Sequence, residues 1–197
     1  MSRQGSADTG KRLSGGDYGY IDAYKWRQLV KVILWVIVIS AIIAGGWIYT
    51  GTRFNVATVV GIILVLPAAK ALIALILVAK YHTGSREEYE KIEGLVKKNS
   101  RVLADLVLTR YEGSMYVAIA VVRGKNIFAF APKQKTEPEK IREYLKGSVK
   151  AAGSEATPAV YTDFQKYYEF IKKVSARENE PGKTEEKIVS DLLSRAV

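Results

Sequence analysis

The sequence LVKVILWVIVISAIIAGGWIYTGTRFNVATVVGIILVLPAAKALIALILVA, residues 29–79, contains two long apolar runs joined by a short polar turn at residues 50–53. The first run, residues 32–49, has no charged residue, and the second, residues 54–79, has only Lys70. A transmembrane helix needs about 20 mostly apolar residues to cross about 30 Å of hydrocarbon. Both runs meet this requirement, so the sequence predicts a transmembrane hairpin with helices at about residues 29–49 and 55–79.

Basic residues cluster at the two outer ends of the predicted hairpin, whereas the turn between the helices contains only Arg53. The flanking basic residues are Lys25, Arg27, Lys31, Lys80, Arg86 and Lys91. An excess of lysine and arginine next to a transmembrane segment marks its cytoplasmic side. We therefore expect a multi-pass protein of the cell inner (plasma) membrane with both termini in the cytoplasm.

The segment LPAAK, residues 66–70, is the least expected part of the second apolar run. Pro67 removes a helix hydrogen bond and predicts a kink. Lys70 lies deep in the run, where insertion scales assign lysine a cost of about 2.5–3.5 kcal/mol. Two interpretations stay open. Lys70 snorkels or donates to carbonyls freed by Pro67, or it makes a specific polar contact with a lipid headgroup, a partner's acid or an ion path.

The net charge of +10 is spread along the chain rather than gathered on one segment. Residues 80–197 carry 22 basic and 17 acidic side chains, without the basic and aromatic clustering that is typical of nucleic-acid modules. We therefore expect no nucleic-acid partner. The pattern favours a solvated surface beside a lipid bilayer with anionic headgroups.

Residue types that commonly hold metals or act as nucleophiles are scarce. The chain has no cysteine and one histidine, His82. This composition excludes disulfides, thiolate nucleophiles and cysteine metal sites, and it leaves no histidine-rich site. We expect no cofactor and no bound metal.

Composition divides the chain into four parts. Residues 1–24 are predicted to be a disordered basic tail because they lack apolar periodicity. The transmembrane hairpin follows at residues 25–79, and a cytoplasmic α+β domain at residues 80–177. A linker and a C-terminal amphipathic helix complete the chain at residues 178–197.

The cytoplasmic domain is predicted to contain an antiparallel three-stranded meander with strands at residues 101–110, 114–122 and 127–131. A helix precedes the meander, and a helix, a short strand near residues 158–161 and another helix follow it. In the first strand, Val102, Ala104, Leu106 and Leu108 alternate with the intervening residues, so one sheet face can be buried.

Two patterns predict contact surfaces. Small residues recur at four-residue spacing in the hairpin and indicate a seam between its helices or between protomers: Ala41, Gly45, Ala57 and Gly61. The final helix has an apolar stripe that docks on the domain or binds a partner: Ile188, Val189, Leu192 and Leu193.

Three short motifs carry a resemblance to a known group. Residues 50–52 (TGT), 66–70 (LPAAK) and 87–89 (EEY) resemble small uncharacterised two-span membrane proteins of anaerobic Gram-positive bacteria. Some of these proteins carry automatic labels such as "O-linked GlcNAc transferase-like". About 115 soluble residues are too few for the two sugar-nucleotide domains of such an enzyme, and no helical repeat of about 34 residues occurs. The resemblance implies a membrane hairpin and no established activity.

The predicted order of helix, meander, helix, strand and helix resembles the core of restriction-endonuclease-like domains. That resemblance implies a metal held by an acid on one strand and an acid-x-lysine motif on the next. Residues 114–122 and 127–131 contain no carboxylate, and Asp105 alone supplies too few oxygen ligands for a hard divalent cation. A domain of this fold is therefore expected to be inactive as a nuclease.

The sequence favours a membrane-anchored cytoplasmic interaction or assembly module that is not catalytic. Its expected partners are the bilayer and either another membrane protein or a second copy of the chain. A membrane-tethered transferase or hydrolase using Asp105, Asp163 or His82 is an alternative, as is a transport accessory subunit. Convergence of those three side chains in one pocket would favour the enzyme.

Overall fold

The computed structural model describes residues 13–52, 55–96, 100–110, 113–132, 137–151, 153, 155, 157–176 and 183–196. Over these ranges the chain forms six helices and four strands, an α+β fold that begins with two long apolar helices. The helices are α1 (Tyr20–Thr50), α2 (Val56–Ala79), α3 (Arg86–Leu95), α4 (Pro138–Ala151), α5 (Phe164–Ser175) and α6 (Lys183–Arg195). The strands are β1 (Arg101–Arg110), β2 (Gly113–Arg123), β3 (Asn126–Phe130) and β4 (Ala159–Tyr161).

Helices α1 and α2 pack against each other as a hairpin, and each is long and apolar enough to cross a membrane. The sequence predicts that the first helix starts near residue 29, but α1 begins at Tyr20. Its first turn packs against the α+β domain, where Ile21 is 1% exposed. Apolar periodicity alone could not locate this start, since the extra turns are stabilised by the domain beneath them.

Close helix contact in the hairpin depends on small residues, but not on all of the predicted ones. A Cβ atom added to Gly61 would lie 2.8 Å from Ile43 Cγ1, and one added to Gly46 would lie 2.3 Å from the Cβ of Ala57. A Cβ atom on Gly45 would meet nothing within 4 Å, and Ala41 is exposed. The seam therefore includes the predicted Ala57 and Gly61 on α2, whereas α1 contributes Gly46 in place of the predicted small pair.

The sheet is four-stranded and mixed, in the order β1-β2-β3-β4. The β1–β2 and β2–β3 pairs are antiparallel, and the short β4 pairs with β3 in parallel. The predicted strand near residues 158–161 thus joins the edge of the sheet. The resemblance to a restriction-endonuclease-like core stays a prediction.

Helices cover both faces of the sheet and bury a core on each. One core contains Leu106 of β1 and Ile127 of β3 together with residues of α4 and α6. The other contains Tyr116 of β2 and Phe130 of β3 together with Ile21 of α1 and residues of α3 and α5. Strands buried on both faces lose the simple alternation of polar and apolar residues.

The alternation of side chains along β1 is interrupted at Asp105. Leu103 and Leu106 belong to the same core although they are three positions apart, whereas Val102 and Val107 belong to the other core. Asp105 has φ 53°, in the left-handed region that short polar side chains tolerate best among non-glycine residues. The predicted uninterrupted alternation of β1 is therefore wrong at this point, because the left-handed residue reverses the faces.

Candidate functional site at the base of the hairpin

The most distinctive polar group in the structure is the carboxylate of Asp105, which is 1% exposed. Its Oδ2 accepts a hydrogen bond from the Gly19 amide at 2.9 Å. Its Oδ1 accepts from the Tyr116 hydroxyl at 3.0 Å and from the Gly84 amide at 3.3 Å. A buried carboxylate without such donors would be strongly disfavoured, so three donors from three segments account for its presence.

One amide donor caps α1, and the other lies in the segment that follows α2. Gly19 is the N-cap of α1, and no side chain of its own caps that helix. Gly84 lies in the segment between α2 and α3. Asp105 therefore supplies a negative charge to the α1 N-terminus, where the helix dipole favours it, and binds the exit of α2 at the same time. We call Asp105, Gly19, Gly84 and Tyr116 the hairpin junction.

Glycine is required at Gly19 by backbone conformation. Its φ is 85°, which a side chain would strain. This conformation lets the amide of Gly19 reach the carboxylate at the foot of α1.

Further hydrogen bonds hold the chain on either side of the junction. The Tyr18 hydroxyl donates to the Gly84 carbonyl at 3.0 Å, and the Ala104 amide donates to the Gly16 carbonyl at 2.7 Å. The segment before α1 is thus tied both to the exit of α2 and to β1.

A second set of bonds joins the end of α2 to β2. The buried Tyr81 donates its hydroxyl hydrogen to the Ser114 carbonyl, and the Ser114 hydroxyl donates to the Leu77 carbonyl at 3.3 Å. The Tyr81 ring stacks on Tyr116 with centroids 5.5 Å apart. Both helix ends are therefore fastened to the same two strands.

Two tyrosines at the junction, Tyr116 and Tyr18, donate from hydroxyls whose pKa is raised. Burial raises the pKa of Tyr116 far above its ordinary value, and the neighbouring Asp105 charge raises that pKa further. Burial and Asp105 also raise the pKa of Tyr18. Because both hydroxyls stay protonated at neutral pH, the hydrogen bonds they donate persist there.

An exposed charged cluster lies at the rim of the junction. Lys25 Nζ is 3.5 Å from Asp22 Oδ1, and His82 Nδ1 is 3.6 Å from the same oxygen. The Lys25 and His82 nitrogens are 3.4 Å apart. His82 is 73% exposed, and ion pairs with this exposure contribute at most about 1 kcal/mol.

The three residues considered for catalysis do not meet. Asp105 is occupied by the junction, and His82 contacts Asp22 and Lys25 at the rim. Asp163 is the N-cap of α5 and accepts a hydrogen bond from the Lys166 amide at 3.0 Å. Within the described ranges, no group of three or more His, Cys, Asp or Glu side chains is placed to hold a metal ion.

Lys70 and Pro67 both lie inside α2, which continues through the proline. Both are exposed on the helix surface, and no residue in the described part of the chain forms a hydrogen bond or ion pair with Lys70. The hairpin therefore carries a charge for which it provides no partner.

The apolar stripe of α6 packs within the chain. Ile188 and Leu192 are fully buried beside β1 and β2, and Val189 and Leu193 are partly buried against the same core. Of the two roles considered for the stripe, these contacts correspond to docking on its own domain.

The sequence marks Asp105 as unusual but does not identify the hydrogen-bond donors to its carboxylate. An aspartate inside an apolar strand is a usable signal, because such a carboxylate must find donors. Gly19 and Gly84 are single glycines in polar segments, and nothing local marks them as those donors.

The resemblance to small two-span membrane proteins stays a prediction. No family model, no curated protein and no solved structure matches the chain.

Proposed function

We propose that the chain is a membrane-anchored interaction or assembly module that is not catalytic. The hairpin lies in the inner membrane, and the α+β domain is held at its cytoplasmic face. The observation that carries this proposal is the hairpin junction, in which Asp105 accepts hydrogen bonds from the N-cap of α1 and from Gly84 in the segment between α2 and α3.

The junction supports more than simple tethering. A flexible linker would keep a domain near a membrane without any shared buried carboxylate. Here the exit of α2 is bound at Tyr81 and Gly84, and the entry of α1 is bound at Gly19. A domain held in this way presents a defined surface at a defined height above the bilayer, as an assembly module requires.

Charge supports the proposed orientation. Lys25, Arg27 and Lys31 of α1 and Lys80 after α2 lie toward the domain end of the hairpin. The cytoplasmic leaflet carries anionic lipids, and each basic side chain near its surface contributes about 1 kcal/mol of attraction. The domain end therefore belongs on the cytoplasmic side, with the turn outside.

Topology can be tested cleanly because the chain has no native cysteine. Thr52→Cys lies in the turn and Lys172→Cys on the exposed side of α5. A membrane-impermeant maleimide should label Thr52→Cys in intact cells and Lys172→Cys only after the membrane is opened. Labelling of Lys172→Cys in intact cells would overturn the orientation.

Assembly needs a separate measurement. After mild cross-linking in native membranes, we expect the chain to migrate in a defined complex well above its own 21.8 kDa. The complex should be weakened by Asp105→Asn, which disturbs the junction, and unchanged by Asp163→Asn, which alters a helix cap. Migration of the wild-type chain as a lone monomer, together with binding of a nucleotide or sugar by the purified protein, would favour the enzyme.

A further inference from the structure

Lys70 lies near the middle of its helix rather than at a membrane surface. Helix α2 runs from Val56 to Ala79, a length of about 36 Å, which exceeds the roughly 30 Å of a bilayer core. Lys70 is about 14 Å from the domain end of this helix and about 21 Å from the turn end. Both water-facing ends are therefore distant from its backbone.

The direction of the side chain makes escape to water harder. Side chains on a helix lean toward its N-terminus, which for α2 is the turn end. The nearer surface lies the other way, at the C-terminal end beside the domain. To reach water at the domain end, the Lys70 side chain would have to bend against its own Cα–Cβ direction. To reach water at the turn end, it would have to cover the longer distance.

The chain itself offers no counter-charge at this depth. No residue that the structure describes bonds to Lys70, and residues 29–79 contain no aspartate or glutamate. A second copy of the hairpin would bring only another lysine and apolar side chains. Self-association through this face would therefore place like charges together.

The surface around Lys70 is accessible to another helix. Helix α1 covers a different side of α2, on which Gly61, Ala71 and Val78 are buried. Near Lys70, by contrast, Ile63 is 59% exposed and Leu66 is 72% exposed. This face combines an open apolar surface with one unpaired positive charge.

We infer that this face of α2 binds a transmembrane helix of another protein, one that carries an aspartate or glutamate at the depth of Lys70. The inference rests on the proposed function, because it requires the hairpin to span the membrane. In hydrocarbon, an acid and a lysine that meet remove two unfavourable charges at once, so their pairing selects the partner by charge and depth.

Designed peptides give the first test. The full chain is reconstituted in liposomes with a labelled leucine-rich transmembrane peptide that has a single Asp at its centre, or Leu there as the matched control. We expect the Asp peptide to associate about tenfold more strongly than the Leu peptide. The difference should vanish in Lys70→Leu and survive in Lys70→Arg. Equal association of the two peptides with the wild-type chain would overturn the inference.

Photo-cross-linking in native membranes tests the natural partner. A photoreactive residue at Leu66 lies about 40° from Lys70 around the helix, and one at Leu72, which is also exposed, lies about 160° away. We expect an adduct from the Leu66 position that is absent from the Leu72 position and is lost when Lys70→Leu is added. The cross-linked helix should contain an acid at matching depth.

Other adducts would contradict the inference. A dimer of this chain from the Leu66 position would identify a second copy as the occupant, and adducts with lipid alone would show that Lys70 faces lipid. Labelling of Thr52→Cys does not depend on Lys70, so it shows separately whether the proposed membrane topology is correct.

Discussion

Asp105 and Lys70 are charged side chains in apolar surroundings, but only one of them has hydrogen-bond partners among the described residues. Asp105 is buried in the α+β domain and accepts hydrogen bonds from Gly19, Gly84 and Tyr116. Lys70 is exposed on α2 in the hairpin and has no hydrogen-bond or ion-pair partner among the described residues.

The contrast between Asp105 and Lys70 distinguishes a charge that acts within the fold from a charge that has no partner within it. A buried charge whose donors come from distant segments holds those segments together, so its cost is offset within the fold. A charge that the fold leaves unpaired in an apolar span is stabilised by snorkelling to water or by a group outside the chain. Asp105 thus stabilises the junction, whereas we propose that Lys70 marks a surface for a partner.

The largest effect is expected for Asp105→Asn. The substitution replaces one acceptor oxygen with an NH2 group, which faces the amide of Gly19, the amide of Gly84 or the Tyr116 hydroxyl. Because the new NH2 group would face another hydrogen-bond donor, the free energy of unfolding should fall by about 3 kcal/mol. Denaturant unfolding of the full chain in mild detergent measures this loss.

Asp163→Asn is the matched control for that substitution. Asparagine caps a helix as well as aspartate does, so the free energy of unfolding should change by less than about 0.5 kcal/mol. Equal losses in the two variants would show that Asp105 has no special place in the fold.

A smaller loss is expected for Tyr116→Phe, which removes one donor to Asp105 and leaves the buried ring in place. Hydrogen bonds to charged groups contribute about 1.5–3 kcal/mol, so we expect a loss near 2 kcal/mol in the same unfolding assay. The control is Tyr161→Phe, because the Tyr161 hydroxyl has no hydrogen-bond partner in the described part of the chain. Stability unchanged by Tyr116→Phe would argue against the junction.

Alkaline pH should lower the free energy of unfolding through the same tyrosine. The pKa of Tyr116 is raised above its ordinary value of 10.0, so above that pH the unfolded chain releases a proton that the folded chain retains. The stabilisation is complete below pH 10 and falls as the pH rises, by about 1.4 kcal/mol at about pH 11. This loss should appear as the difference between the wild-type chain and Tyr116→Phe. Parallel pH profiles for the two proteins would contradict it.

The smallest effect is expected for Lys70→Leu in the isolated protein. Because Lys70 has no partner within the described chain, its replacement should leave the free energy of unfolding in detergent within about 0.5 kcal/mol of the wild-type value. Lys70→Leu should nevertheless remove the roughly tenfold preference for the Asp peptide over the Leu peptide. A loss of stability as large as that of Tyr116→Phe would show that Lys70 has an internal partner, and the comparison with Asp105 would fail.

Several features of the fold were predictable from local sequence. The two apolar runs predict the helices α1 and α2, because length and hydropathy are properties of a continuous segment. The strands β1 to β3 are predictable from β-branched and apolar runs that are separated by turn residues. The start of α1 and the reversal at Asp105 were not predictable, since both depend on contacts with distant segments.

Only part of the candidate site could be predicted from the sequence. Lys70 and Pro67 stand out because a charge and a proline are unusual in an apolar run. The apolar stripe of α6 is also evident, but periodicity cannot tell a helix that docks on its own domain from one that binds a partner. Burial of Ile188 and Leu192 beside the sheet shows the contact that the pattern left open.

By itself, the sequence determined that the chain has a hairpin able to cross a membrane, an α+β domain, and two charges set among apolar residues. Only the tertiary structure decided what each charge meets. The two amide donors to Asp105 come from positions 86 and 21 residues away, and packing of α1 against Gly61 leaves the Lys70 face of α2 uncovered. Hydropathy is a property of a continuous segment, whereas the pairing of a charge depends on which distant segments the fold brings beside it.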